Sequence, residues 1–154
     1  MTRKSAGILL YRLKHQKPEV LLVHPGGPFW MHKDASAWSI PKGEFTEEED
    51  PLDAALRELA EETGITITGP LTALPPVKQK GGKMVYAWAA KGDCDPAAIK
   101  SNTFSIEWPP RSGRTAIFPE IDKAAWFSFM DAREKIISGQ IPLLDALEKK
   151  LAKP

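Results

Sequence analysis

Residues Gly43–Ile65 read GEFTEEEDPLDAALRELAEETGI, and the second half of this stretch specifies a helix with unusual charge. Asp50 is a strong N-cap, Pro51 suits the first helical position and Gly64 suits the left-handed residue just past the end, so a helix is predicted over Pro51–Thr63. At 3.6 residues per turn Leu52, Ala55, Leu56 and Leu59 form one apolar face. Glu58, Glu61 and Glu62, also at i, i+3 and i+4, share a patch on another side. Like charges at these spacings cost about 0.2–0.5 kcal/mol per pair. In the last turns the helix dipole opposes each carboxylate by roughly a further 0.3–1 kcal/mol. No lysine is interspersed to relieve them. A merely solvated acidic face is one reading. A bound divalent cation is the other, since clustered carboxylate oxygens are what Mg²⁺ or Mn²⁺ prefers.

Working outward, Ser5–Leu13 and Val20–His24 read as strands around the polar turn His15–Glu19, and His24–Ala37 (HPGGPFWMHKDASA) reads as a long loop. Trp38–Ile40 is a brief extended piece stopped by Pro41 and Gly43. Ile65–Thr68 and Met84–Ala90 are expected as strands, the second preceded by the basic loop Lys78–Lys83. Ser101–Pro119 reads as irregular, Ala124–Phe129 as a strand, and Ala132–Ser138 and Leu143–Leu151 as closing helices. Strands mixed with about three helices predict an α/β (α+β) fold with a mixed sheet covered on both faces.

The chain has 154 residues, with 42% hydrophobic, 27% charged and a net charge of +1. That is the size and balance of one domain, taken as residues 1–154. Near-neutral charge argues against a general nucleic-acid coat, so no nucleic-acid polymer is expected as a partner. The apolar runs fall well short of the roughly 20 residues that span a bilayer, and the leading MTRKSAGILLYRLK lacks the cleavage pattern of a secretory signal. The lone Cys94 fits a reducing cytoplasm and reads as an incidental thiol in a Gly/Asp/Pro turn.

Gly43, Glu49, Arg57, Glu58, Glu61, Glu62 and Gly64, with Leu59 and Ile65 at two aliphatic positions, match the spacing of the Nudix box. At typical residue frequencies seven such identities arise by chance about once in 10⁸–10⁹ placements. The stretch therefore resembles the Nudix hydrolases, which cleave nucleoside diphosphates linked to another moiety. The resemblance implies an α/β/α sandwich with a mixed sheet between helices. It also implies Mg²⁺ (or Mn²⁺) on Glu58, Glu62 and Glu61, with the Gly43 carbonyl approaching the ion. Glu49 would support the site or bind a further ion, and Arg57 would orient the glutamates. The implied reaction is attack of water on phosphorus. Glu61 is the first choice of general base within the box, with Glu107 and Glu120 as alternatives from outside it.

Lys42 ends a W-x-x-P-K-G lead-in, Trp38–Gly43, similar to that of the dinucleoside polyphosphate and diphosphoinositol polyphosphate hydrolases of the family. Lys42, Lys78 and Lys80 are candidate phosphate contacts, beside Lys83 and the pair Arg111 and Arg114. Phe29 and Trp30 are candidates for stacking on a base, followed by Trp108 and Phe118. Trp88, Trp126 and Phe127 read as core, and His24 and His32 as packing or surface residues. The family's residue markers for ADP-ribose and NADH are absent, and Tyr86 lies later than the Tyr that marks the dinucleoside polyphosphate group, so the W-x-x-P-K-G lead-in and the lysines carry the choice of substrate. The expected substrate is a small nucleotide, either a dinucleoside polyphosphate or a (d)NTP, and a homodimer is compatible with the resemblance. The competing readings are a Nudix-fold ligand sensor or interaction module without catalysis, and an isomerase. The intact box opposes the first, and the unsuitable setting of Cys94 opposes the second.

Overall fold

The computed structural model describes residues 3–152. Strand β1 (Lys4–Lys14) lies at the centre of a seven-stranded sheet. It runs antiparallel to β2 (Lys17–Pro25) and to the short β3 (Lys42–Glu44), and parallel to β6 (Met84–Lys91). Beyond β6 lie β4 (Leu71–Ala73) and β5 (Val77–Lys78), and beyond β2 lies β9 (Ile121–Ser128), all antiparallel to their neighbours. One parallel pair in an otherwise antiparallel sheet makes it mixed, as expected.

The alternation of β1 shows why both faces are covered. Ile8 and Leu10 point to one side, where they bury Ala54, Ala55 and Leu59 of helix α1 (Pro51–Thr63). Leu9 points to the other side, with Val20 and Leu22, against helices α2 (Phe129–Lys135) and α3 (Ile141–Leu151) through Phe129, Leu143, Leu144 and Leu147. Residues of opposite parity on a strand face opposite ways. A continuous apolar run is what a strand buried on both sides requires.

Helix α1 has its predicted ends. Asp50 accepts from the Asp53 amide, Pro51 opens the helix, and Gly64 closes it at φ 78° with its N–H on the Ala60 carbonyl. Four other expectations need correction. Ile65–Thr68 forms no strand; Ile65 and Ile67 pack against the α1-side core from an extended segment without a sheet partner. The Ser101–Pro119 stretch holds a separate hairpin, β7 (Thr103–Glu107) with β8 (Thr115–Pro119), hidden in the sequence by its prolines and glycine. Trp38–Ile40 makes only isolated bridges, and the strand lies four residues later at Lys42–Glu44. Helix α2 starts at Phe129, capped by Ser128, and ends at Lys135. Among the described residues no helix is long and apolar enough to cross a membrane.

Candidate active site on the acidic helix

The buried face of α1 is rotated from the one the apolar spacing suggests. Ala54, Ala55, Leu59, Glu62 and Thr63 are buried, whereas Leu52 and Leu56 are half-buried. The three glutamates are thus graded rather than equivalent. Glu61 is the most exposed, Glu58 keeps 14% side-chain exposure, and Glu62 is 9% exposed.

Glu62 is the anomaly. Its Oε1 is buried and has no hydrogen-bond partner among protein atoms. Burial, with Glu58 adding repulsion, pushes its carboxyl up to about 8 despite the favourable charge and backbone N–H of Lys42. The Lys42 ammonium is lowered to about 8, by burial and by the nearby charge of Lys83. A buried polar atom without a partner costs about 1–3 kcal/mol, more if charged, so an unpaired Oε1 at this depth marks a place built for something else.

Glu58 lies directly over Gly43. A Cβ on residue 43 would fall 2.0–2.4 Å from the three atoms of the Glu58 carboxyl group. Gly43 has no positive φ among the backbone conformations of the chain. Its requirement is the close approach of this carboxylate to strand β3. Gly7 plays the matching part beneath β3, where a Cβ would meet the Pro41 carbonyl oxygen at 2.4 Å and the Lys42 Cβ at 2.7 Å.

Arg57 gathers the other acids. Its Nη2 donates to Glu49 Oε2 at 2.9 Å, and its Nη1 donates to Glu58 Oε1 at 3.0 Å and Glu61 Oε1 at 3.4 Å. The planar fork holds three carboxylates at fixed angles, which an ammonium does not reproduce. Burial raises the Glu58 carboxyl, and the Arg57 charge opposes that rise.

Glu120, in the turn between β8 and β9, completes the arrangement. It shares a cleft of about 200 Å³ with Val23, Pro25, Ser39, Ile40, Lys42, Glu62 and Ile121. Its charge acts on both Glu58 and Glu62. The turn is fastened by Gly26, whose N–H donates to the Glu120 carbonyl at 2.9 Å, and a Cβ there would strike the Pro119 oxygen at 2.0 Å. Glu107 lies away on the hairpin, accepting from the Arg111 amide.

The donor set fits a divalent cation: hard oxygens, one of them buried and unpartnered, and a glycine cradle that brings a second carboxylate to the chain. Among the described residues no three acidic or histidine side chains already converge on one point. Glu58, now held by Arg57, would therefore have to turn to share an ion with Glu62, which Glu120 faces across the cleft.

Of the expected substrate contacts, Lys42 lines the cleft beside Glu62. Lys78, at the end of β5, and Lys80, in the turn after it, are exposed, and the charge of the half-buried Lys83 acts on Lys42. Phe29 (57% exposed) and Trp30 lie on the loop that leaves the cleft wall at Pro25 and Gly26. Phe29 meets Trp108 edge to face at 5.6 Å, and the Lys33 ammonium lies 5.0 Å from the Trp30 ring centre. His24 is fully buried, bonded to Asp122 and the Lys33 carbonyl, so it is a packing residue. Burial and Asp93 push the Cys94 thiol up, which opposes a nucleophilic role. Glu120 and Lys83, the residues that the sequence left least distinguished, have no local signal. Their place depends on the hairpin and on the β5–β6 turn.

Comparison with known proteins agrees with this architecture. The RNA pyrophosphohydrolase of Caulobacter vibrioides is 48% identical over 52 residues, 30% of this chain and 30% of that protein. The RNA pyrophosphohydrolase of Bartonella henselae is 38% identical over 74 residues, 41% of this chain and 36% of the relative. The matches thus span about a third of these relatives' lengths. Among solved structures, the Ap4A hydrolase of C. elegans, as a binary complex, superposes with TM-score 0.66 at 27% identity, covering 98% of both chains. The NUDIX domain of Shewanella oneidensis NrtR, complexed with ADP ribose, gives TM-score 0.68 at 17% identity over 99% of this chain and 90% of that one, a likeness of fold. The sequence profile of the NUDIX domain covers residues 1–147, and the chain belongs to the NUDIX domain family.

Proposed function

We propose that the protein is a hydrolase that cleaves a pyrophosphate link in a nucleoside polyphosphate, with Mg²⁺ or Mn²⁺ held by Glu58 and Glu62 and assisted by Glu61. The observation that carries this reading is the buried, unpartnered Glu62 Oε1 next to the Glu58 carboxylate on Gly43. When bound, a divalent ion lowers the pKa of water and neutralises charge on phosphoryl oxygens. The chain's own residues do the rest. Arg57, with Glu49 behind it, fixes the direction of Glu58 and Glu61. Lys42 and Lys83 supply cations for phosphate oxygens, with Lys78 and Lys80 at the rim. Proton removal from the attacking water belongs to Glu61 within the box or to Glu120 opposite it. Paired Glu→Gln variants separate the two, the base being the one whose loss lowers kcat while ion affinity stays.

Phe29 and Trp30 are the proposed base-stacking surface, Trp108 supporting Phe29. The W-x-x-P-K-G lead-in and the likeness to the C. elegans Ap4A hydrolase favour dinucleoside polyphosphates, with (d)NTPs next. The two RNA pyrophosphohydrolases similar around the box add a 5′-polyphosphorylated RNA end to the substrates to be compared. A lone, unpaired Cys94 is compatible with a reducing compartment such as the cytoplasm. The deciding experiment is product analysis in ¹⁸O-water across dinucleoside polyphosphates, (d)NTPs, ADP-ribose, diphosphoinositol phosphates and 5′-triphosphorylated RNA. Label entering one phosphate product supports the reading and identifies the phosphorus attacked. No hydrolysis of any of them with Mg²⁺ or Mn²⁺ would favour the non-catalytic ligand-binding module.

A further inference from the structure

Gln140 lies 98 residues beyond Lys42 in the chain and is fully buried, yet every hydrogen bond of its side chain goes to the segments that carry the site's lysines. Its Oε1 accepts from the Ile40 backbone N–H at 3.1 Å, two residues before Lys42. Its Nε2 donates to Ser39 Oγ at 3.0 Å and to Gln79 Oε1 at 2.9 Å. Gln79 in turn closes the turn that presents Lys83. Its N–H donates to the Lys83 carbonyl at 2.7 Å, its carbonyl accepts from Gly82, and Gly81 and Gly82 both take positive φ. The preceding residue, Gly139, allows this contact, since a Cβ there would fall 3.1 Å from the Gln79 Cα. One buried amide thus joins the Lys42 segment to the Lys83 turn.

Lys42 and Lys83 are both half-buried, and the network ties together the two backbone segments that carry them. We infer that Gln140, acting through Gln79, is a positioning residue that sets Lys42 and Lys83 as a paired cation site for two adjacent phosphate groups of the substrate. The inference rests on the pyrophosphate-hydrolase reading. An amide suits the task because it offers an acceptor to the Ile40 N–H and donors to Ser39 and Gln79 at once, which a carboxylate or an alkyl group does not. A buried network of this kind is rigid only when all its members are satisfied.

The test is a double-mutant cycle in the full chain. Gln79→Ala cuts the link at a half-buried position, and Gln140→Leu cuts it in the core. Each is combined with Lys83→Ala. Steady-state kinetics use the best substrate from the panel above, and calorimetry measures a methylene-bridged nucleoside diphosphate with Mg²⁺ present. Gln79→Ala and Gln140→Leu are each expected to raise KM and weaken analogue binding by about tenfold, the scale of one lost charge-assisted contact. Ion affinity and kcat should stay within about threefold, and Gln79→Ala should have no further effect once Lys83 is Ala, while Gln140→Leu keeps only the part that acts through Lys42. Full additivity with Lys83→Ala, or an unchanged KM in Gln79→Ala, would overturn the inference. If Lys42→Ala and Lys83→Ala themselves leave KM and analogue affinity unchanged, it is the phosphate assignment beneath it that fails. Gln79→Ala keeps the cycle decisive should Gln140→Leu not fold.

Discussion

Replacing Glu62 by Gln should stabilise the protein in chelator while destroying its affinity for Mg²⁺. The carboxyl is raised from 4.5 to about 8, so in the folded state it keeps a proton that the unfolded chain has already released. Stability of the chelated wild type therefore falls as pH climbs from about 4.5 to about 8, by at most about 1.4 kcal/mol per unit. The bound is roughly 5 kcal/mol by pH 8. Lys42 opposes this at higher pH. Lowered from 10.5 to about 8, it loses its proton before the unfolded chain does, so stability returns between those values and the minimum lies near pH 8. Gln removes the charge but leaves an amide to satisfy, which costs about 1–3 kcal/mol. A net gain of about 2 kcal/mol is expected at pH 8, worth roughly 4–8 °C in Tm for a chain of this size. At pH 5 the gain should vanish, because the wild-type carboxyl is protonated there too. Thermal melts in EDTA at both pH values measure it, and Mg²⁺ should then raise the wild-type Tm and not that of the variant. A variant less stable than wild type in EDTA at pH 8 would refute the claim that this carboxylate is held at a cost.

Gly43→Ala should lower kcat by more than a hundredfold with an unchanged far-UV spectrum, because its Cβ takes the space of the Glu58 carboxyl and not of the core; near-normal turnover would mean that this close approach has no functional purpose. Arg57→Ala should change stability by less than about 1 kcal/mol, its ion pairs being partly exposed, while ion affinity falls about 10–100-fold. Arg57→Lys should not restore that affinity, since a point charge cannot hold three carboxylates in one plane, and titration calorimetry on both variants checks it. Lys42→Ala should raise KM more than it lowers kcat, measured under saturating Mg²⁺; an unchanged KM would remove Lys42 from the phosphate site.

What was legible in the sequence was local. Asp50 and Gly64 fix the ends of α1 through bonds made within a few residues, with Pro51 at its first turn, and helix geometry puts Glu58, Glu61 and Glu62 on one side, while the full box is legible only by its resemblance. Strand β1 could be read because both of its faces are apolar. The depth of Glu62 could not. Helical periodicity places acids relative to one another, but which acid is buried depends on how α1 rolls against β1 and β3, and the small Ala54 and Ala55 allow that roll. Hairpin β7–β8 escaped because Pro109, Pro110 and Gly113 dominate its connection while its strands are short and half-exposed. With it went any reason to prefer Glu120 over Glu107, since only the paired hairpin returns the chain to the cleft. Gln140 is invisible for the same reason: its partners are distant in sequence and meet only in the fold.

Calorimetric titration of Mn²⁺ into wild type, Glu58→Gln and Glu62→Gln, each confirmed folded, addresses the centre of this account most directly. Saturable binding to the wild type that is weakened at least tenfold in both variants is the predicted result. Absence of binding to the wild type, or equal affinity in all three proteins, would contradict it.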